Sequence, residues 1–267
     1  MLINHPVGEY QGIPAENVFF VSSDKRIQLG YGCLIQFSQA ELYPNQPLHI
    51  YLQMDAQPSA RPMLFGALLA RAGQIRSESG VPARFYTQVD PRDKELLKFY
   101  EQMGMKNDDS EDLYSFYLPF GRAQAPMGFE YWQSPLATPA DEAALLERMN
   151  RYRIQPVTHD YLMLWRQQEH FLPLAFYRQG EVVCEAMFTG AGETATLLSI
   201  YTVPQFRNQR LASQLIEAAC VHLREQGVSM IYTHIFKRNV PQTGLIRHLK
   251  GQFVRSVNYL PGINMMK

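Results

Sequence analysis

Three landmarks recur in the second half of this 267-residue chain at nearly constant spacing. Arg61 falls on Arg207 at a shift of 146, and Gly80 on Gly227 and Gly104 on Gly251 at a shift of 147. Each stands at the same place in a series of strand, helix, strand and helix, so the chain reads as two tandem copies of one α/β unit with a mixed sheet. Two copies need two buried apolar faces, and 46% hydrophobic against 19% charged residues can supply them.

Periodicity places the elements of the first copy. Ile27 to Phe37 and Leu48 to Met54 are rich in Ile, Leu, Tyr and Phe and bounded by Pro and Asn, as strands are. Met63 to Ser79 carries Leu64, Leu68, Leu69, Ala72 and Ile75 at helical spacing, with Gly80 as the stop. A strand over Phe85 to Val89 and a helix over Asp93 to Met103 follow, and a strand over Leu113 to Leu118 is expected to close the set. Between Pro119 and Pro139 the periodicity disappears and Pro and Gly accumulate, which predicts a linker. The expected domains are residues 1–120, a linker over 121–138, and a second domain over 139–267.

The second copy opens with helices over about Pro139 to Tyr152 and Thr158 to Glu169, the first with Thr138 as N-cap and Asp141 and Glu142 in its first turn. Strands are expected at Leu172 to Arg178, Val182 to Thr189 and Ala195 to Val203. The next helix, from about Arg210 to Gln226, turns Leu211, Leu215, Ala219 and Leu223 inward, and Gly227 ends it. The strand Met230 to Phe236, a short helix over Gln242 to Lys250, and terminal strand material from Phe253 to Met265 complete the copy.

Charge narrows the function classes. Twenty-five basic and twenty-five acidic residues balance, which disfavours a nucleic-acid partner but leaves room for a local basic pocket for a small phosphate ligand. Cys33, Cys184 and Cys220 are odd in number, far apart and never in a C-x-x-C pair, so no disulfide framework and no metal site is expected; they read as buried thiols in a reducing compartment. The start, Met1 to Pro6, lacks a basic region followed by an apolar core, and no apolar run approaches the roughly 20 residues that span a bilayer. A soluble cytoplasmic protein with no membrane partner is expected, and a homodimer is left open.

The chemistry concentrates between Leu197 and Leu215, an apolar strand, a short basic turn and an amphipathic helix. Amide groups exposed at a helix N-terminus, together with the helix dipole, favour phosphate, and Arg207 and Arg210 add charge at the same spot. Here the sequence resembles the GNAT superfamily of acyl-CoA N-acyltransferases, whose signature is a strand, then [Arg/Gln]-x-x-Gly-x-[Gly/Ala], then a helix. The match is Arg207-Asn208-Gln209-Arg210-Leu211-Ala212, preceded by Val203-Pro204, and the order of elements matches over about 140 residues. The resemblance implies two tandem GNAT-like domains and acetyl-CoA as co-substrate. It puts the pantetheine arm and thioester oxygen on the backbone of Tyr201, Thr202 and Val203, and the pyrophosphate on Arg207, Asn208, Gln209, Arg210, Leu211, Ala212 and Ser213.

Arg210 stands where the family usually has Gly; as a first-turn helical residue it is expected at negative φ, with its guanidinium beside the phosphates. A second family landmark, an Asn after the next strand, falls on Asn239, but the helix that follows, Leu245 to Gly251, has no tyrosine to protonate the leaving thiolate. His248 is the nearest protonatable group there. The first copy keeps a tyrosine, Tyr100, but its cofactor turn reads Arg61-Pro62-Met63-Leu64, where Pro62 removes an N–H donor; it reads as a degenerate copy.

An amine must lose a proton to attack, and the strand Thr196 to Val203 offers no carboxylate. Glu185, in an otherwise apolar strand, and His234, at the end of the next, are the candidate bases, with Tyr201 beside the presumed thioester. The acceptor class is a primary amine of a small molecule or peptide; Tyr161, Trp165, Phe171 and Tyr177 either line its mouth or belong to the core. A non-catalytic acyl-CoA-binding or sensing protein is the alternative reading, and aminoacyl transfer from tRNA is disfavoured by the neutral charge.

Overall fold

The computed structural model describes residues 1–133, 136–151, 153 and 156–266; Pro135 of the expected linker and Tyr152 at the expected end of a helix lie outside them. The chain divides into two compact units, residues 1–111 with 256–267, and residues 112–255. The first half supplies β1 (Leu2–Asn4), β2 (Val18–Ser22), β3 (Gln28–Ser38), β4 (Leu48–Ala56), α1 (Arg61–Ser79), β5 (Ala83–Tyr86), α2 (Lys94–Gln102) and β6 (Ser110–Tyr117). The second supplies β7 (Glu130–Gln133), α3 (Pro139–Asn150), α4 (His159–Arg166), β8 (His170–Arg178), β9 (Glu181–Ala191), β10 (Thr194–Thr202), α5 (Leu211–Glu225), β11 (Met230–Phe236), α6 (Val240–His248), β12 (Gln252–Tyr259) and β13 (Gly262–Met265).

The sheets have one plan. The first runs β1-β2-β3-β4-β5-β13 and the second, read from its other end, β7-β8-β9-β10-β11-β6-β12. In both, antiparallel neighbours lead to one parallel pair, Leu48↔Ala83 to Tyr51↔Tyr86 in the first and Thr194↔Met230 to Leu197↔Thr233 in the second. The last paired residues are separated by 146 (51 to 197) and 147 (86 to 233), so the sequence repeat is the repeat of the sheets. The strand next to each parallel pair comes from the other half of the chain. The C-terminal β13 lies antiparallel to β5, and β6 lies between β11 and β12. The segment Leu113 to Leu118 therefore does not close the first sheet. Alternation along a strand says which side chains are buried but not which backbone edge it pairs with.

Helix ends follow their expected chemistry. Thr138 and Asp141 form a reciprocal capping box at α3, with Asp141 N–H donating to Thr138 Oγ1 at 3.2 Å and Thr138 N–H to Asp141 Oδ2 at 2.9 Å. Gly80 and Gly227 end α1 and α5 with left-handed φ of 68° and 85°. The third landmark shifts by one residue. Gly104 is left-handed, but in the second copy Lys250 takes that conformation, and Gly251 is required for space because a Cβ there would lie 2.4 Å from Ile246 Cγ1.

The predicted inward faces are buried: Leu64, Leu68, Ala72 and Ile75 of α1 pack with Ile50, Leu52 and Phe85, and Leu211, Leu215, Ala219 and Leu223 of α5 pack with Phe176, Phe188 and Ile231. Each such leucine, isoleucine or phenylalanine contributes about 1.5–3 kcal/mol on removal from water. Strand β2 lies in a continuous apolar run that carries no alternation, and β7 lies in the Pro-rich stretch read as linker, although Glu130 to Gln133 pair with Leu174 to Tyr177. None of the described helices is long and apolar enough to cross a membrane.

Cutting the chain between its apparent halves separates β6 from its sheet. A fragment of residues 139–267 is expected to show no cooperative thermal transition by circular dichroism, whereas residues 108–259, which retain β6, are expected to melt cooperatively. Equal cooperative transitions for both fragments would show that β6 is dispensable.

Candidate functional site

Strand β10 runs to Thr202 and β11 to Phe236, yet their pairing stops at Leu197↔Thr233. At this point β10 also shifts register against β9 between Leu197 and Ser199, a bulge absent from the matching position of the first copy. A cavity of about 40 Å³ opens where the strands part, lined by Leu197 to Ile200 of β10, Thr233 to Ile235 of β11, and Gln242, Leu245, Ile246 and Leu249 from α6 and its end. The Thr233 hydroxyl donates to the Leu197 carbonyl at 3.2 Å and closes the narrow end.

Beyond Thr202 a short 3-10 turn, Pro204–Phe206, leads into Arg207 to Arg210, and α5 starts at Leu211. Arg210 does not have the expected negative φ: it precedes the helix, at φ 62° and ψ 11°, and Asn208 also lies at φ 63°. The left-handed backbone is the physical reason a glycine suits this place, and a side chain there costs about 1–2 kcal/mol. Left-handed residues turn successive amides toward one concavity, and the first-turn amides of α5 have no intrahelical acceptor. The first turn of α5 carries no acidic residue and no side-chain cap, so its positive end is not neutralised locally. Asn208, Gln209 and Arg210, which form this turn, are all exposed.

Arg207 is spent differently. Its Nε donates to the Thr202 carbonyl at 3.1 Å, and in the first copy Arg61 Nε donates to the Ala56 carbonyl at 3.1 Å, both over five residues and at the repeat shift of 146. The first landmark of the repeat is thus a clamp on the strand end. In the first copy that arginine also pairs with Glu95 at 2.9 Å, Pro62 stands at the helix start, and Ala60 is right-handed at φ −96°. Of the two matching turns, only that of the second copy has left-handed residues before the helix.

The helices of the second unit bring three arginines to β9 and β10 that the sequence reading did not single out. Both carboxylate oxygens of Glu185, which is 3% exposed, accept from Arg148, at 2.7 Å from Nε and 2.9 Å from Nη2. Burial lowers the Arg148 pKa, but the hydrogen bonds and charge of Glu185 outweigh it and hold the guanidinium above its ordinary value. The two bonds form a bidentate pair that engages both oxygens of the Glu185 carboxylate. One helical turn on, Arg151 Nη1 donates to Tyr201 Oη at 2.8 Å and stacks 5.4 Å from its ring centre, and Arg153 Nη2 donates to the Leu198 carbonyl at 2.7 Å. The signal was available as three arginines within Arg148 to Arg153, but cations at a helix C-terminus have an ordinary explanation in the dipole.

The remaining predicted residues separate. His234 is exposed and borders the cavity. Asn239 caps α6, its Oδ1 accepting from Gln242 N–H at 3.1 Å. The Val203 amide donates to the Val183 carbonyl at 3.0 Å and is not available to a ligand. His248 is exposed at the end of α6 and does not border the cavity. Tyr161 is 56% exposed, while Trp165 and Phe171 pack against the core of Leu145, Met149 and Leu162. The three cysteines are free and buried, and burial pushes the thiols of Cys184 and Cys220 up to about 12, so neither is a thiolate nucleophile near neutral pH. In the first copy, burial pushes the Tyr100 phenol up to about 12.

The model of the Acetyltransferase (GNAT) family matches residues 141–250, which hold the splayed strands, the concave turn and the three arginines. Residues 141–250 form a GNAT domain. Around it the fold extends to nearly the whole chain. A GCN5-related N-acetyltransferase from Anabaena variabilis is similar at 12% identity and a TM-score of 0.54, over 94% of this chain and 63% of that one. A conserved protein of Enterococcus faecalis, described as a probable N-acyltransferase, is similar at 10% identity and 0.54, over 93% and 62%. Eis1 from Mycobacterium abscessus is similar at 10% and 0.53, over 93% and 64%. This chain thus spans less than two thirds of the length of each of these three, and at such identities the likeness is one of fold. No curated protein matches the chain significantly in sequence. Mixed sheets of one plan in both units agree with two tandem GNAT-like folds.

The left-handed Arg210 yields a stability test of the GNAT turn. Arg210→Gly is expected to stabilise the protein by about 1 kcal/mol, and Arg210→Ala to give no such gain, because only glycine escapes the left-handed penalty. Chemical denaturation reads both; a gain of similar size for alanine would refute the conformational explanation.

Proposed function

We propose that the chain is an N-acetyltransferase that moves an acetyl group from acetyl-CoA to a primary amine of a small molecule or peptide. The observation that carries this reading is the parting of β10 and β11 next to an amide-lined, left-handed turn at the start of α5, all within the GNAT domain. The amides of Leu211, Ala212 and Ser213 and the exposed Arg210 would hold the pyrophosphate, with Asn208 and Gln209 shaping the concavity and Arg207 holding it against the strand. The backbone of Tyr201 and Thr202 would lie along the pantetheine arm, and Asn239 would act through the capped α6. When bound, acetyl-CoA supplies an activated acyl group.

In this reading the proton of the amine leaves through His234, directly or by way of water, because an imidazole nitrogen can accept a proton and this one borders the cavity. Glu185 is kept as the second candidate, reached only if the Arg148 pair opens; otherwise the pair positions α3 on β9. The same pair and the lack of a tyrosine on α6 favour, as the second reading, a protein that binds acyl-CoA without turning it over.

Thiol release from acetyl-CoA with a panel of amines separates the two, and the buried cysteines keep the background low. Turnover is expected, and His234→Gln is expected to lower it by about a hundredfold to ten-thousandfold with CoA affinity retained. Arg210→Glu is expected to weaken CoA binding by calorimetry, and Arg61→Gln in the first copy to leave it unchanged. CoA binding with no thiol release for any amine would establish the binding protein instead; equal losses at Arg61 and Arg210 would overturn the placement of the site.

A further inference from the structure

Arg148 and Arg151 lie one helical turn apart on α3 and its end, and their guanidinium groups reach Glu185 and Tyr201, which face each other across β9 and β10. The two cations are treated differently by the protein. Arg148 is matched by a buried carboxylate, whereas Arg151 meets the neutral hydroxyl and ring of Tyr201, and among the described residues no carboxylate pairs with it. The hydrogen bond and the stacking fix the guanidinium plane and spend one of its five N–H donors, while the side chain stays exposed. A held guanidinium with spare donors and an unmatched charge is a preorganised receptor for a planar carboxylate.

Its place relative to the cavity sets the size of what it would receive. Ser199 borders the cavity, and Tyr201 is two residues further along the same strand. A strand rises about 3.3 Å per residue, so the backbone of Tyr201, whose ring and hydroxyl hold Arg151, stands roughly 7 Å from the edge of the cavity at Ser199. The hydrogen bonds from a guanidinium to a carboxylate take up about 3 Å of that distance, and the amine of an amino acid lies close beside its own carboxylate, so one small molecule reaches from the guanidinium to the cavity edge. Resting on the acyl-transfer reading above, we propose that the acceptor is a small amine that also bears a carboxylate, of the amino-acid type, and that Arg151 is the residue that selects it.

The test uses ligands that need no turnover. The full-length protein, saturated with CoA, is titrated in a calorimeter with N-acetylglycine, N-acetylleucine and N-acetylphenylalanine and with the carboxamide of each. The acids are expected to bind at least about tenfold more tightly than the amides. Arg151→Gln should remove that difference by weakening the acids alone, Arg151→Lys should keep part of it, and CoA affinity should not move. Tyr201→Phe, which removes the hydroxyl but keeps the ring, should retain the preference. Equal binding of acids and amides by the unaltered protein, or an equal loss of both in Arg151→Gln, overturns the proposal and leaves Arg151 as a support for Tyr201. In parallel, thiol release is followed with leucine and leucinamide as acceptors. A carboxylate preference in binding with no thiol release would uphold the receptor and refute acyl transfer; release with no such preference would do the reverse.

Discussion

A guanidinium bonded to a carbonyl five residues earlier closes the strand-to-helix turn in both copies of the repeat. Arg61 holds Ala56 and Arg207 holds Thr202, at the same distance and the same place in each sheet. The bond ties the arginine to the last residue of the strand in both copies, but the helix begins at the arginine in the first copy and at Leu211, four residues after it, in the second. Two turns built on one clamp diverge in the residues on either side of it. Pro62 and a right-handed Ala60 give the first copy a plain helix start, while left-handed Asn208 and Arg210 give the second a concavity of donors.

The site is completed from the sheet's helical cover. Breaking a buried ion pair by removing one partner costs about 3–5 kcal/mol, which makes Arg148 and Glu185 a firm tie between α3 and β9. The tie carries Arg151 to Tyr201. The Asn150 side chain bonds both the amide and the carbonyl of Val157, at 2.7 and 2.9 Å, and Arg153 donates to the Leu198 carbonyl. Rigid support of this kind is what a site needs if a reacting amine is to be held in place.

Much of the candidate site was legible because it is local. The turn from Tyr201 to Ser213 is one continuous stretch whose strand, basic turn and amphipathic helix each follow from adjacent residues. The reading failed where conformation depends on more than periodicity. Arg210 sits at a positive φ that its residue type disfavours, and nothing in the amphipathic pattern of α5 announces the conformation of the residue before it. Glu185 stands out in the sequence as a carboxylate in an apolar strand, but its partner lies 37 residues earlier on a helix, where a terminal arginine looks ordinary.

By itself the sequence determined the tandem repeat, most of the element boundaries, the buried faces of α1 and α5, and the basic turn before α5, because each depends on spacing within one element or on a repeat register. Only the tertiary structure decided which sheet β6 and β13 join, that pairing of β10 and β11 stops at Leu197 and Thr233, and which arginine is matched by a carboxylate and which is not. The physical reason is the same in each case: hydrogen bonds between strands and ion pairs between elements are made by groups far apart in the chain, and a residue's type fixes what it can bond to but not what the fold brings within reach.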